Sequence, residues 1–237
     1  MKVHAGRIAL SPEDLGSSCN EIFMCIGNDN DVRESISGDK CILKSLSSGG
    51  IIVDHTTTSS VLSIEMNELC LEKGIHYLDA PVSGGVARAI TGDLMIMAGG
   101  DEKILEEVCD LLSVLGKVQF AGPLGSGHAI KALNNYVSAA GLISSFEALA
   151  TARSFGIEPE NFLKIINGAT GKNNTTEVKL DKYVISEKFN SGFALDLMVK
   201  DVTIANSLIK DISSNKPLSN DVLSHLSEAL RLSLIHI

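Results

Sequence analysis

The hydrophobic pattern of this 237-residue chain changes period once, near residue 125, and that change divides what it can fold into. Before it, short apolar runs alternate with helical stretches. IFMCI (22–26), GIIVD (50–54), HYLDAPV (76–82), LMIMAGG (94–100) and VQFAG (118–122) read as buried strands. SVLSIEMNELCLEKG (60–74) and DEKILEEVCDLLSVLG (101–116) read as amphipathic helices closed by Gly. Ser11, Pro12, Glu13 and Asp14 mark a helix start, with Ser as cap, Pro in the first turn and acids beside it. Strand–helix alternation predicts an α/β layer with a largely parallel sheet. After PLGSG (123–127) only helical spacing continues: one long helix over 128–155, then helices near 159–168, 172–186, 195–213 and 217–232. The expected domains are an α/β domain over 1–125 and an all-helical domain over 126–237.

Charge and composition exclude several functions. The net charge is −9 and no Lys/Arg block stands out, which disfavours nucleic acid and anionic membrane surfaces as partners. An anionic small molecule stays open, since one local positive charge is enough to hold it. No apolar run reaches membrane-spanning length, and Met1 is not followed by a secretory leader pattern. Five cysteines, Cys19, Cys25, Cys41, Cys70 and Cys109, are scattered with no C-x-x-C, as expected of reduced thiols in a reducing compartment. No metal site is expected. The default location is cytoplasmic, with organellar targeting left open.

Three stretches carry candidate chemistry. HYLDAPVSGG (76–85) ends a buried strand in Asp79 and continues into Ser83, Gly84 and Gly85. Ligands of α/β sheets bind beyond the C-terminal ends of parallel strands. A hydroxyl and two glycines there suit an anion such as a carboxylate. On its own the stretch also reads as an ordinary Gly-rich turn. VDHTTTSS (53–60) places Thr56, Thr57 and Thr58 after another strand, where hydroxyls cap the next helix or meet a ligand. GHAIKALNNYV (127–137) sets Lys131, Asn134 and Asn135 among apolar residues at helical spacing, so three polar side chains share one side of a helix. SGFALDLMVKDVTIA (191–205) places Lys200 and Asp201 in another apolar helical run, readable as a solvated pair or as site residues.

DAPVSGG, GDLMIMAGGD, GSGHAIKALNN and GFALDLMVKD, in this order, resemble the β-hydroxyacid dehydrogenase family, which includes 3-hydroxyisobutyrate dehydrogenase, tartronate semialdehyde reductase and the glyoxylate/succinic semialdehyde reductases. The resemblance runs from about residue 6 to about residue 226. It implies a Rossmann-like nicotinamide domain followed by an all-helical domain, and NAD or NADP as cofactor. It implies that Lys131 is the catalytic lysine and that Asn135 binds substrate. Ser83, Gly84 and Gly85 would form the loop that holds the substrate carboxylate. Thr57 would stand near the nicotinamide, within one position of its neighbours. Lys200 would touch the cofactor. Asp201 and Phe193 would line the cleft from the helical domain, Asp201 toward the substrate and Phe193 toward the cofactor.

These residue types fit the implied reaction. Reducing a semialdehyde to a hydroxy acid needs a hydride from the nicotinamide and a proton to the carbonyl oxygen. A lysine ammonium can donate that proton, and a neutral amine can take it back in oxidation. Free lysine titrates near pH 10.4, so base duty near neutrality calls for desolvation.

The same resemblance implies a strand, a G-x-G-x-x-G turn, a helix and a second strand ahead of MKVHAGRIALSPEDLG, a unit of roughly 30 residues. The sequence holds no such turn, so the choice between NAD and NADP cannot be read from it. RLSLIHI (231–237) matches no expected final segment. A fragment or a faulty gene model at both ends is the expectation, with weak cofactor binding and a strand edge open to aggregation. A non-catalytic scaffold keeping the helical domain is the competing reading. A third, 6-phosphogluconate dehydrogenase, shares the lysine motif but has His-Asn where Asn134 and Asn135 stand, and a longer helical domain. On these readings His128 is a polar residue at a helix start. The apolar pattern of 131–156 predicts packing inside its own domain or against a second subunit, hence a homo-oligomer.

Overall fold

The computed structural model describes residues 6–212 and 217–232, so position 213 of one expected helix and most of RLSLIHI lie outside the described residues. The chain forms two compact units, Met1–Lys131 and Ala132–Ile237.

The first unit is built on six strands: β1 (Glu21–Met24), β2 (Ile51–Asp54), β3 (His76–Asp79), β4 (Val82–Ser83), β5 (Leu94–Gly99) and β6 (Gly116–Gly122). β1, β2 and β3 pair in parallel, as do β5 and β6. β5 joins β3 antiparallel through the single pair Asp79–Gly99, and β4 lies antiparallel on β5. The apolar run 76–82 is therefore two strands. Ala80 and Pro81 break it, because Pro has no N–H to continue a ladder. The run 22–26 also stops early, at Met24. The next turn of chain bonds elsewhere: the Ile26 N–H donates to Thr56 Oγ1 at 3.0 Å.

Helices cover both faces of this sheet. α1 (Pro12–Gly16) starts where Ser11 accepts the Asp14 N–H at 3.1 Å. α2 (Asp29–Ser37) opens with a reciprocal capping box between Asn28 and Asp31. α3 (Ser60–Leu71) is capped by Ser59, and α5 (Glu102–Ser113) by Asp101. α2 and α3 bring Val32, Ile36, Leu62, Met66 and Cys70 against Ile22, Met24, Ile52 and Tyr77. On the other face α5 packs Ile104, Leu105, Val108 and Leu112 on Ile51, Val53, Leu78 and Ile96. Every residue of β2 is buried, as expected of a strand covered on both faces. α4 (Gly85–Thr91) is a short exposed helix after β4. β1 pairs with β2 alone among the described residues.

α6 (Ser126–Ser154) is 29 residues long, and the division between the units falls within it. The second unit continues with α7 (Pro159–Asn167), a π-helix (Thr175–Ile185), α8 (Leu195–Ile212) and α9 (Leu218–Arg231). Ala139 of α6 is buried with Leu195, Met198 and Val202 of α8 and with Val222 and Leu226 of α9. Further along, Leu149 and Ala152 meet Phe162, Leu163 and Leu180. No helix of the described residues is long and apolar enough to cross a membrane.

Candidate functional site

In the first unit the polar groups gather at the C-terminal ends of β2 and β3. Asp54 and Asp79, each the last residue of its strand, are register partners, and both are fully buried. Asp54 accepts the Tyr77 hydroxyl at 2.7 Å and the Thr56 N–H at 2.8 Å. The three threonines then separate. Thr56 and Thr58 are buried, Thr56 engaged by Ile26 and Thr58 lying 3.3 Å from His128 Nδ1; Thr57 is the half-buried member. The cap of the following helix is Ser59, which also donates to Asp29 at 2.9 Å.

Asp79 serves a distant helix start. Its two carboxylate oxygens accept the N–H groups of Gly125 and His128, each at 2.8 Å. A negative charge at a helix N-terminus meets both the unpaired N–H groups and the helix dipole. Burial pushes the Asp79 carboxyl above its ordinary range, opposed by His128 and by these N–H groups. The chain allows no side chain where this helix start meets the strand ends. A Cβ on Gly127 would fall on the Met97 carbonyl oxygen and 2.7 Å from that of Asp79.

His128 stands in the first turn of α6, as the sequence suggested, and there it is fully buried. Its Nδ1 lies 2.6 Å from Ser63 Oγ and 3.8 Å from Asp79 Oδ2. The Asp79–His128–Ser63 cluster escapes a reading by local pattern because His128 lies 49 residues from Asp79 and 65 from Ser63. Its one sequence signal is an apolar strand ending in a carboxylate. His55, which follows Asp54, also escapes such a reading. It is 7% exposed, its Nδ1 lies 2.6 Å from the Ala80 carbonyl oxygen, and its ring stacks on Phe23 at 6.1 Å.

Lys131 follows His128 by three residues on α6 and is 8% exposed. Lysine is rarely buried to this extent, because its ammonium is costly to desolvate. Ser83 is half-buried, and Gly84 and Gly85 are exposed at the start of α4. Gly84 has φ 137°, and a Cβ there would lie 2.7 Å from Arg88 Cδ, so glycine is required by both backbone and space.

In the second unit Asn135, one turn beyond Lys131 on α6, is buried and donates from Nδ2 to Asp201 Oδ2 at 2.5 Å. Asn134 points outward, exposed, and donates to Asn135 Oδ1 at 3.1 Å. Lys200 Nζ lies 3.8 Å from Asp201 Oδ1. Phe193 is half-buried against the cluster of Ala139 and Leu195. Lys179, not foreseen from sequence, donates to Ser138 Oγ at 3.3 Å, and burial lowers its pKa. Ser138 lies three residues beyond Asn135 and seven beyond Lys131, so all three share one side of α6.

Two family models match in tandem. Residues 2–125 match the NAD binding domain of 6-phosphogluconate dehydrogenase. Residues 125–234 match the NAD-binding model of NADP-dependent 3-hydroxyisobutyrate dehydrogenase. The 2-(hydroxymethyl)glutarate dehydrogenase of Eubacterium barkeri is 34% identical over 207 residues, 87% of this chain and 68% of that protein. The mitochondrial 3-hydroxyisobutyrate dehydrogenase of Homo sapiens is 29% identical, over 92% of this chain and 67% of that protein. Among solved structures, the Mycobacterium tuberculosis 3-hydroxyisobutyrate dehydrogenase with L-serine superposes with a TM-score of 0.83 at 27% identity, over 92% of this chain and 76% of that one. The chain belongs to the β-hydroxyacid dehydrogenase family, whose members are NAD(P)-dependent oxidoreductases with a Rossmann-like layer followed by a helical region.

Proposed function

We propose that this protein interconverts a small 3-hydroxy acid and its semialdehyde with NAD or NADP, and that Lys131 is its general acid and base. The observation that carries this reading is a buried lysine in the GSGHAIKALNN motif, one turn before a buried asparagine held by Asp201. In this reading residues 1–125 serve the nucleotide and 126–237 form the helical dehydrogenase domain.

When bound, the nicotinamide takes or gives the hydride. In oxidation the neutral Lys131 amine takes the hydroxyl proton; in reduction its ammonium returns that proton to the carbonyl oxygen. Asn135, oriented by Asp201, binds the substrate by its amide without adding charge. Ser83, Gly84 and Gly85 hold the substrate carboxylate, and the Asp201 carboxylate serves the substrate by keeping Asn135 in place. Thr57, Phe193 and Lys200 serve the cofactor. Two features at the end of β2 suit a nicotinamide: Thr57 is half-buried, and two positions earlier His55 carries a buried ring nitrogen with no partner among the described residues.

The test is turnover of a panel (3-hydroxyisobutyrate, glycerate, glyoxylate, succinic semialdehyde and threonate) with both cofactors, by the protein and by Lys131→Ala. Loss of an acid–base group lowers kcat about 100- to 10,000-fold. Equal turnover by the two proteins would sink the assignment.

The five unpaired thiols support a reducing compartment, the cytoplasm in this reading. A groove of about 620 Å³ between α6 and α7, lined by Ala148, Thr151, Phe155, Phe162 and Ile165, supports self-association. Phe155 is 81% exposed and Ile165 65% exposed. Sedimentation of a monomer at all concentrations would remove that part of the reading.

A further inference from the structure

His55 is a buried titratable group that the proposed chemistry does not use. Its backbone N–H donates to the Met24 carbonyl at 2.7 Å, and its Nδ1 meets the Ala80 carbonyl oxygen at 2.6 Å. A carbonyl oxygen only accepts, so Nδ1 carries the proton and Nε2 carries a lone pair. Burial lowers the pKa of His55, more than the Ala80 carbonyl and Asp54 raise it, so the ring is neutral near pH 7. Nε2 is buried without a hydrogen-bond partner among the described residues. Such an acceptor is costly until a donor reaches it.

Its place in the fold narrows the donor. His55 precedes Thr56–Thr58 at the end of β2 and is bonded to the carbonyl three residues before Ser83, so one ring ties together the two strand ends proposed to serve cofactor and substrate. A carboxylate and an aldehyde oxygen only accept, so neither end of the semialdehyde satisfies Nε2; the 3-hydroxy acid has a hydroxyl to donate, but in the proposed chemistry that proton is directed to Lys131. We infer that His55 Nε2 accepts a hydrogen bond from the carboxamide N–H of the nicotinamide, fixing the amide beside the reacting ring. This rests on the reading that the end of β2 binds NAD(P). The role is binding and orientation, with no proton transferred.

Two substitutions divide the ring's functions. His55→Asn keeps a donor for the Ala80 carbonyl and removes the Nε2 acceptor. His55→Gln places an amide oxygen near the position of Nε2. The experiment titrates the full chain with NADH and with the reduced 3-acetylpyridine analogue, whose methyl ketone offers no N–H. Binding is followed by ligand-observed NMR and by the ¹⁵N shift of the His55 ring. In the unmodified protein the Nε2 resonance moves with NADH and stays in place with the analogue. A single neutral hydrogen bond corresponds to about fivefold weaker NADH binding in His55→Asn, with the analogue unchanged and His55→Gln close to the unmodified protein. Equal NADH affinity in the unmodified protein and His55→Asn overturns the inference. So does equal loss for both ligands, which assigns the contact to a ribose hydroxyl or to structure. Absence of any dinucleotide binding to the unmodified protein overturns the cofactor reading itself, and this inference with it.

Discussion

Asp54 and Asp79 end neighbouring strands, are register partners and are both fully buried, yet they do opposite work. Asp54 is spent locally, on the turn that follows it and on Tyr77 of the adjacent strand. Asp79 is spent at a distance, on the first turn of a helix that begins more than forty residues later. Both positions follow from one rule: the end of a parallel strand leaves a carboxylate where N–H groups lack partners. Which N–H groups come to it is decided by the chain path. The local carboxylate shapes the Thr56–Thr58 turn, and the remote one sets where Lys131 enters.

Removing each carboxylate tests this contrast. Asp79→Ala carries the largest expected effect, a loss of about 3–5 kcal/mol, since it strips charge-assisted bonds from two buried N–H groups and leaves His128 beside a void. Its expected second signature is a fall in turnover larger than the fraction of unfolded protein explains, because the helix start that carries Lys131 loses its anchor. Asp54→Ala is expected to cost about 2 kcal/mol, and Tyr77→Phe about 1 kcal/mol, with the turn loosened and α6 untouched. Denaturant unfolding with activity measured on the folded fraction checks all three. Equal stability and activity losses for the two aspartates would erase the distinction between local and remote anchoring.

The smallest effect sharpens the same comparison, since His55 joins the two strand ends by its bond to Ala80. Burial lowers its pKa below the ordinary value of 6.5. As the pH falls the unfolded chain takes up this proton first, so the unfolded state binds more protons in that window. Stability is full above about pH 6.5 and declines as the pH falls from there toward the lowered folded value. His55→Asn is expected to flatten that part of the stability profile, measured by thermal unfolding between pH 5 and 7.5. An unchanged slope would show that the ring titrates alike in both states.

The strands were legible in the sequence because strands of a covered sheet need apolar runs, and five such runs fall on the sheet; VQFAG, read as buried, lies in β6, where Gly116 alone is buried and Phe120 is exposed. The split at Ala80 and Pro81 was signalled by Pro itself, whose missing N–H outweighs an apolar run. The helix over 172–186 was visible, but its π geometry was not, since eleven residues are too few to separate a period of 3.6 from a slightly wider one. That Lys131 and Asn135 share one side of α6 was legible, because one helix carries both at fixed spacing. Asn134 and Asn135 could not be told apart by type, and the helix turns one outward and the other toward Asp201. Asp79 with His128, and His55 with Ala80, are tertiary pairings. Local periodicity carries no information about which distant carbonyl or N–H a side chain will meet.

The packing of the first turn of α6 against the strand ends has a consequence for how this gene can drift. A Cβ on Gly99 would lie 2.9 Å from the Gly127 nitrogen and 2.5 Å from Asp79 Oδ1, and one on Gly127 would meet two carbonyl oxygens. Every single-base missense change of a glycine codon adds at least that one carbon. The two codons therefore have no tolerable neighbours, and drift around the Lys131 helix is confined to the positions between and beyond them.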